Sequence, residues 1–308
     1  TLKKFLDARL SGVINGVHIL PFFPYSSDDG FSVIDFSKVD PKLGNFSNIR
    51  RIADNFYIMF DFVLNHISSE SGWVKSYLKG NRGRKDYFIQ FTDSFDTTKV
   101  VRPRALPLFS EYKTGKKIFK LWTTFSEDQL DLNYKNPEVL LKMLSVLLFY
   151  ISTGAKLMRM DAIGYLWKKS GTTCINLKET HLVVELIRLI TDYLAPEVML
   201  VTETNVPHEE NVAYFGKGNN EAHMVYQFAL PPLLLHTFYT QNSAALSKWA
   251  GNLEANEKGG VFFNYLASHD GIGVNPVRGI LTEQEIENII TTVEKHGGLV
   301  SHKNMADG

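Results

Sequence analysis

With a single cysteine, Cys174, the chain can form no intrachain disulfide and no thiolate metal cluster; a free thiol in the core or a loop is the expected state. Neither sign of charge is in excess. The 33 Lys and Arg balance 33 Asp and Glu, which removes the usual electrostatic basis for binding nucleic acid or an anionic membrane surface. Long hydrophobic runs are missing too. The best stretch, around Val139 to Ile151, is interrupted by Lys142 and is too short to span a bilayer. Neither a nucleic-acid nor a membrane partner is therefore expected. No signal peptide is recognisable, but the chain opens at Thr1 in helix-like sequence, so that says little about export. No internal repeat or low-complexity tract stands out. What is present is 308 residues at 44% hydrophobic, enough to bury the core of an ordinary globular enzyme.

Short apolar runs occur at Gly16–Leu20, Tyr57–Leu64, Lys156–Ala162, Val198–Thr204, His223–Phe228 and Val261–Ser268. Each alternates or is continuously apolar, as buried parallel strands are. Helical patterns lie between several of them. One has Asn136 as N-cap and Pro137 at its first position, then Leu140, Leu141, Leu144, Leu147 and Leu148, stopping near Gly154. Another runs from about Glu179 to Leu194, before Pro196. Strand–helix alternation predicts a parallel α/β architecture. From about Ile67 to Tyr134 the rhythm breaks into charges, glycines and aromatics, and so long a break reads as an inserted subdomain.

Three of the runs lead into an acidic residue: Asp161 in K-L-M-R-M-D-A, Glu203 in V-M-L-V-T-E-T and Asp270 in F-N-Y-L-A-S-H-D. Parallel strands joined by helices bring their carboxyl ends to one face, where barrel enzymes keep their catalytic groups. Converging carboxylates there suit chemistry on a glycosidic bond, one attacking, one handling the proton and another holding the sugar.

These motifs resemble those of the α-amylase superfamily of retaining glucoside-active enzymes, glycoside hydrolase family thirteen. D-F-V-L-N-H (Asp61 to His66), G-A-K-L-M-R-M-D-A (Gly154 to Ala162), the run ending at Glu203 and S-H-D (Ser268 to Asp270) stand in the family's order. L-P-F-F-P (Leu20 to Pro24), R-P-R (Arg102 to Arg104), L-P-P-L-L-L-H (Leu230 to His236) and H-D-G-I-G-V (His269 to Val274) look like the sucrose phosphorylase branch. After the third motif the chain departs from the well-known sucrose phosphorylases. Its T-N-V-P-H-E-E-N (Thr204 to Asn211) is more similar to phosphorylases of glucosylglycerate or sucrose 6'-phosphate, which leaves the acceptor open.

The resemblance implies a (β/α)8 TIM barrel with an inserted subdomain after strand 3. Residues 1–66 would hold barrel strands 2 and 3, 67–134 the insertion, and 135–308 strands 4 to 7 with their helices. Six strands are two short of the eight of a barrel, so a fragment lacking the first and last is expected. The implied activity is that of a retaining α-glucosyl phosphorylase, a hexosyltransferase: an α-glucoside and inorganic phosphate give α-glucose 1-phosphate through a covalent glucosyl-enzyme. Asp161 would be the nucleophile, kept ionised by Arg159, and Glu203 the acid/base, holding its proton until the acceptor leaves. A retaining pair stands roughly 5–5.5 Å apart. Asp270 and His269 would bind the sugar and stabilise the transition state. His66 would donate to sugar hydroxyls, Asp28 would grip the glucosyl unit, Phe31 and Tyr165 would offer it apolar faces, and Arg104 would bind phosphate while Arg102 braces the loop. No cofactor and no metal are expected, and a sugar-phosphate product points to the cytoplasm.

Singly, each residue has a plainer reading. Asp161 could cap a helix. Arg159 could be half of a structural ion pair. His66 and His269 could be satisfied structural histidines, and Arg102-Pro103-Arg104 a solvated basic turn. Asn65 with nearby carboxylates could hold calcium, as in many α-amylases. His236 reads as packing. A hydrolase or transglucosidase on the same scaffold, or a non-catalytic barrel, are the competing functions.

Overall fold

A computed structural model of the chain describes residues 2–253 and 260–301. Among them two compact units are distinguished, 2–200 and 201–301.

The first unit runs α1 (Leu2–Arg9), β1 (Gly16–Ile19), α2 (Phe46–Ala53), β2 (Tyr57–Val63), β3 (His66–Ser68), α3 (Gly72–Leu78), β4 (Phe109–Thr114), β5 (Lys117–Trp122), β6 (Gln129–Asp131), α4 (Pro137–Ser152), β7 (Ala155–Asp161) and α5 (Lys178–Leu194). Strand β8 (Met199–Thr202) begins in it and ends in the second unit. β1 pairs with β2 and β2 with β7, all parallel, and the register sets Asp61 opposite Arg159 and Val63 opposite Asp161. Every residue of β2 after Tyr57 is buried, because a parallel strand covered on both faces has no polar side to expose.

Crossover α4 starts as its sequence dictates. The Asn136 side chain accepts from the Glu138 amide at 3.0 Å, and Pro137 fills a position that needs no N–H donor. Gly154 then turns the chain into β7 at φ +107°, where a side chain would be strained and its Cβ would lie 3.1 Å from Ala53 Cβ. Tyr150 anchors α4 on the sheet: its buried ring stacks on Phe23 at 5.1 Å and meets Phe60 and Phe62 edge-on at 5.6 and 6.2 Å.

Between β2 and α4 the parallel pattern gives way to antiparallel pairs, β3 with β6 and the hairpin β4–β5. Trp122 and Val100 form a small core here with Cys174, whose free thiol is buried.

The second unit contains α6 (His208–Val212), β9 (Met224–Tyr226), α7 (Leu230–Thr240), α8 (Ala244–Gly251), β10 (Val261–Phe263) and α9 (Glu283–Lys295). β9 lies parallel to both the end of β8 and β10. Its core joins Leu233 of α7 to Val277, Leu281, Ile286 and Ile289. The L-P-P-L-L-L-H segment begins α7, and buried His236 approaches Glu285 at 3.6 Å.

Five of the six predicted strands stop within two residues of their expected ends. The sixth does not. The run expected to reach Ser268 is a strand only to Phe263, because its partner β9 is three residues long and the ladder ends with Phe263 opposite Tyr226. Asp270 therefore stands on a loop seven residues beyond the strand and does not close it. Among the described residues, no helix is long and apolar enough to cross a membrane.

Candidate functional site

In the first unit the candidate residues gather at the carboxyl ends of β1, β2 and β7. Asp61, fully buried on β2, receives His18 Nε2 at 2.8 Å and Arg159 Nη1 at 2.7 Å. The same Nη1 donates to Asp161 Oδ1 at 2.7 Å. Arg159 and Asp161 share a strand face because they are two residues apart, while Met158 and Met160 point the other way into the core. Burial pushes the Asp61 carboxyl up, but Arg159 and His18 outweigh it and hold it below the usual carboxylate range. Arg159 is buried. The chain of charges reaches the surface at its two ends, through the His18 side chain, 24% exposed, and the Asp161 side chain, 11% exposed. Ala162, directly after it, has φ +50°, which turns the backbone sharply away from the strand line.

Phe31 lies beneath the Arg159 guanidinium, 5.6 Å from ring centroid to Cζ, and is buried. Its carbonyl accepts from His66 Nε2 at 3.1 Å. His66 Nδ1 faces the Asn65 side-chain amide at 3.3 Å and Nε2 also faces that of Gln129 at 3.2 Å; the Phe31 carbonyl can only accept, which sets the neutral tautomer protonated at Nε2. Burial pushes this histidine down to about 4. Expected as a donor to sugar hydroxyls, His66 is instead turned into the protein.

Asp28 is at a loop tip. Both its oxygens accept from Arg104 Nη2 at 3.2 Å, and Oδ2 also accepts from Gln129 Nε2 at 2.8 Å. Arg104 and Asp28 are 40% and 30% exposed, so this pair contributes little to stability. Arg104 also lies over Phe125, which meets the rings of Tyr165 and His66 at 5.4 and 5.3 Å. The structure thus brings together Asp28, Phe31, His66, Arg104, Arg159, Asp161 and Tyr165. The charged partner the structure shows for Arg104 is Asp28.

The oxygens around Asn65, where a cation could be held, surround a lysine. Lys168 Nζ donates to Asn65 Oδ1 at 2.8 Å, to Asp131 Oδ2 at 2.5 Å and to the Tyr165 carbonyl. Asp131 also accepts from the amide and hydroxyl of Thr124 at 2.8 and 2.6 Å, and from Asn65 Nδ2 at 3.1 Å. Burial pushes the lysine down, and the Asp131 charge opposes it. Here an ammonium does what a bound cation would do, tying β6 to the segment after β7. His18, Lys168 and Gln129 were not singled out from the sequence. A buried lysine in W-K-K-S reads like its exposed neighbour Lys169, and nothing in one sequence separates them.

In the second unit Glu203 directly follows β8. The T-N-V-P-H-E-E-N departure forms a fixed turn: Thr204 Oγ1 donates to Asn211 Oδ1 and Asn211 Nδ2 to the Tyr226 carbonyl, both at 2.7 Å. His269 Nε2 lies 3.2 Å from Asp270 Oδ2, and Asp270 is exposed. A Cβ on Gly273 would lie 2.9 Å from Asn205 Nδ2, so the H-D-G-I-G loop packs closely on the turn after Glu203.

The family model of the alpha-amylase catalytic domain matches residues 12–274. The glucosylglycerate phosphorylase of Escherichia coli strain K12 is 49% identical over 309 aligned positions, covering all of this chain and 55% of that protein. That of Spirochaeta thermophila is 51% identical over 308, covering all of this chain and 52% of that protein. Among solved structures, sucrose 6F-phosphate phosphorylase from Thermoanaerobacter thermosaccharolyticum aligns with a TM-score of 0.85 at 29% identity, over 97% of this chain and 62% of that one. The chain spans about half the length of the curated relatives it matches.

Two outcomes follow from the buried charges. Lys168→Met in the intact protein leaves Asp131 buried without its cation and should lower stability by about 3–5 kcal/mol in urea unfolding. Lys169→Met, which removes an exposed contact to Glu179, should cost less than about 0.5 kcal/mol. Equal effects would show that the Lys168 ammonium carries no structural burden.

The second concerns acid. The folded state holds His66 at about 4 against an ordinary 6.5, so between these values the unfolded chain binds the proton first. Its contribution is whole above 6.5 and falls as the pH drops towards 4, by up to about 3 kcal/mol. The melting temperature of the intact protein should fall across that window more steeply than that of His66→Gln. Parallel curves would contradict the assignment.

Proposed function

The chain belongs to the alpha-amylase catalytic-domain family, and from that premise we propose that the protein carrying it is a retaining α-glucosyl phosphorylase. The observation that carries this reading is the single guanidinium nitrogen shared by Asp61 and Asp161. It supports an anionic Asp161 at the mouth of a parallel sheet, as a nucleophile requires. We read 67–134 as the subdomain inserted after the third barrel strand, between barrel segments 1–66 and 135–308.

In the first step an Asp161 oxygen attacks the anomeric carbon, the bond to the acceptor oxygen breaks, and Glu203 gives that oxygen its proton. In the second a phosphate oxygen attacks the same carbon, the ester to Asp161 breaks, and a proton lost by phosphate returns to Glu203. Asp270 and His269 hold the sugar, Asp28 grips its hydroxyls, and Tyr165 lies against it. Phe31 acts through Arg159, whose guanidinium it covers. His66 acts by fixing the Phe31 carbonyl, a change from the donor role expected of it. Glycerate is the acceptor we favour, because relatives named for glucosylglycerate are about 50% identical to the chain and the sucrose phosphorylase of Agrobacterium vitis is 31% identical. A charged sugar phosphate is retained inside a cell, which supports a cytoplasmic site of action. The substrates are a small α-glucoside and inorganic phosphate, with no cofactor in either step.

The intact protein should release α-glucose 1-phosphate from glucosylglycerate only when phosphate is present. Asp161→Asn should remove nearly all of it with the fold retained. Free glucose formed equally with and without phosphate would make the protein a hydrolase, and turnover of Asp161→Asn within about tenfold of wild type would exclude this nucleophile.

Phosphate must approach carboxylates, so it needs a fixed cation, and Arg104 fits. Its pairing with Asp28 is half exposed and readily exchanged, and its planar fork matches phosphate. Arg104→Ala should raise the phosphate KM roughly ten- to hundredfold and shift product towards free glucose. An unchanged KM and product ratio would remove Arg104 from phosphate binding.

A further inference from the structure

The loop bearing Asp28 has an unusual backbone. Its stem is closed by Ile34 N to the Pro24 carbonyl at 2.7 Å and Ser26 N to the Ser32 carbonyl at 3.1 Å. At its tip three successive residues take positive φ: Asp28 at 55°, Asp29 at 50° and Gly30 at 111°. Gly30 is required, since a Cβ there would lie 2.6 Å from the Pro21 carbonyl oxygen. Aspartate enters this region more readily than most residues with a side chain, but as a single residue; two in succession carry a strain that the surrounding structure must hold.

Arg104 and Gln129 reach Asp28 at the tip, and the stem beneath it is gathered by one carboxylate in the turn before β6. Asp128 Oδ2 accepts from the hydroxyls of Ser26 and Ser27 at 2.5 Å and of Ser32 at 2.7 Å, so both limbs of the stem converge on it. Oδ1 accepts from Ser69 Oγ at 2.5 Å, and more weakly from Ser69 N at 3.3 Å and Ser68 Oγ at 3.4 Å. The next residue, Gln129, reaches the tip itself and donates to Asp28 Oδ2. Hydroxyls from five serines suit an acceptor-only anion. An amide in its place would present two N–H groups to a ring of donors. Burial pushes the Asp128 carboxyl up, and the serine hydroxyls outweigh it, so the anion persists.

Resting on the reading of Asp28 as the glucosyl-gripping carboxylate, we propose that Asp128 is a positioning residue that holds the 26–32 loop in its left-handed form and thereby aims Asp28 at the sugar. It touches no substrate and acts through the serine hydroxyls. A general structural brace would affect the whole molecule; a positioning residue affects the loop and Asp28-dependent binding.

The test uses the intact protein with Asp128→Asn. Backbone hydrogen exchange should accelerate at least roughly tenfold across 26–32 and stay unchanged in α4 and β7. With α-glucosyl fluoride in phosphate-free buffer, kcat/KM for fluoride release should fall roughly tenfold or more, mainly through KM. In an Asp28→Ala background the same substitution should cost less than about twofold, because the group it positions is gone. Equal losses in both backgrounds, or unchanged exchange in the loop, would overturn the proposal. Where Asp128→Asn does not fold, Ser27→Ala, which removes one of the Oδ2 donors, takes its place with the same pattern at smaller amplitude. Fluoride release needs no phosphate, so failure to form glucose 1-phosphate would strike the phosphorylase reading and leave this inference standing.

Discussion

A guanidinium with two carboxylates and an imidazole around it links β1, β2 and β7. Arg159 Nη1 bridges Asp61 and Asp161, and His18 closes on the far oxygen of Asp61. Desolvating these groups is expensive, and hydrophobic replacements would often be at least as stable. Their presence is better explained by what the arrangement fixes. A slip of one residue between β2 and β7 would turn Arg159 into the core occupied by Met158 and Met160, so the register of the sheet and the aim of Asp161 are one constraint.

A second buried cation secures the antiparallel part of the first unit. Lys168 gathers Asn65 from the end of β2, Asp131 from β6 and the Tyr165 carbonyl after β7. An ammonium donates in any direction, which suits three oxygens from separate segments, whereas the planar arginine suits two carboxylates in line. Asn65 joins the two regions, because its amide also contacts His66, whose Nε2 fixes the Phe31 carbonyl under Arg159.

Much of this was legible in the sequence where the signal is local. Asn136, Pro137 and Gly154 bracket α4 because capping and left-handed turns depend on a residue and its near neighbours. Asp161 closes its strand as its alternation requires. The longer-range features were not legible. The end of β10 does not follow from its own apolar run, because its length is set by β9, a partner 37 residues earlier. Lys168 and Asp128 were invisible for the same reason. Each is defined by side chains distant in the chain, and a lysine among lysines or an aspartate in S-E-D-Q carries no mark of them.

The ion pairs of the first unit fall into two kinds. Those of Arg159 and Lys168 are buried and bring several hydrogen bonds together, so losing one partner strands a charge in a medium that cannot solvate it. The pair of Arg104 and Asp28 is reached by water, and either partner can exchange the other for a ligand at little cost. The proposed transfer reaction would use both kinds. Under the proposed function, the attacking carboxylate would keep one geometry through two opposite displacements at the same carbon, while groups that receive sugar and anion would give up one partner to take another. Buried charge supplies the first property and half-exposed charge the second, and the chain places them side by side around the ends of β2 and β7.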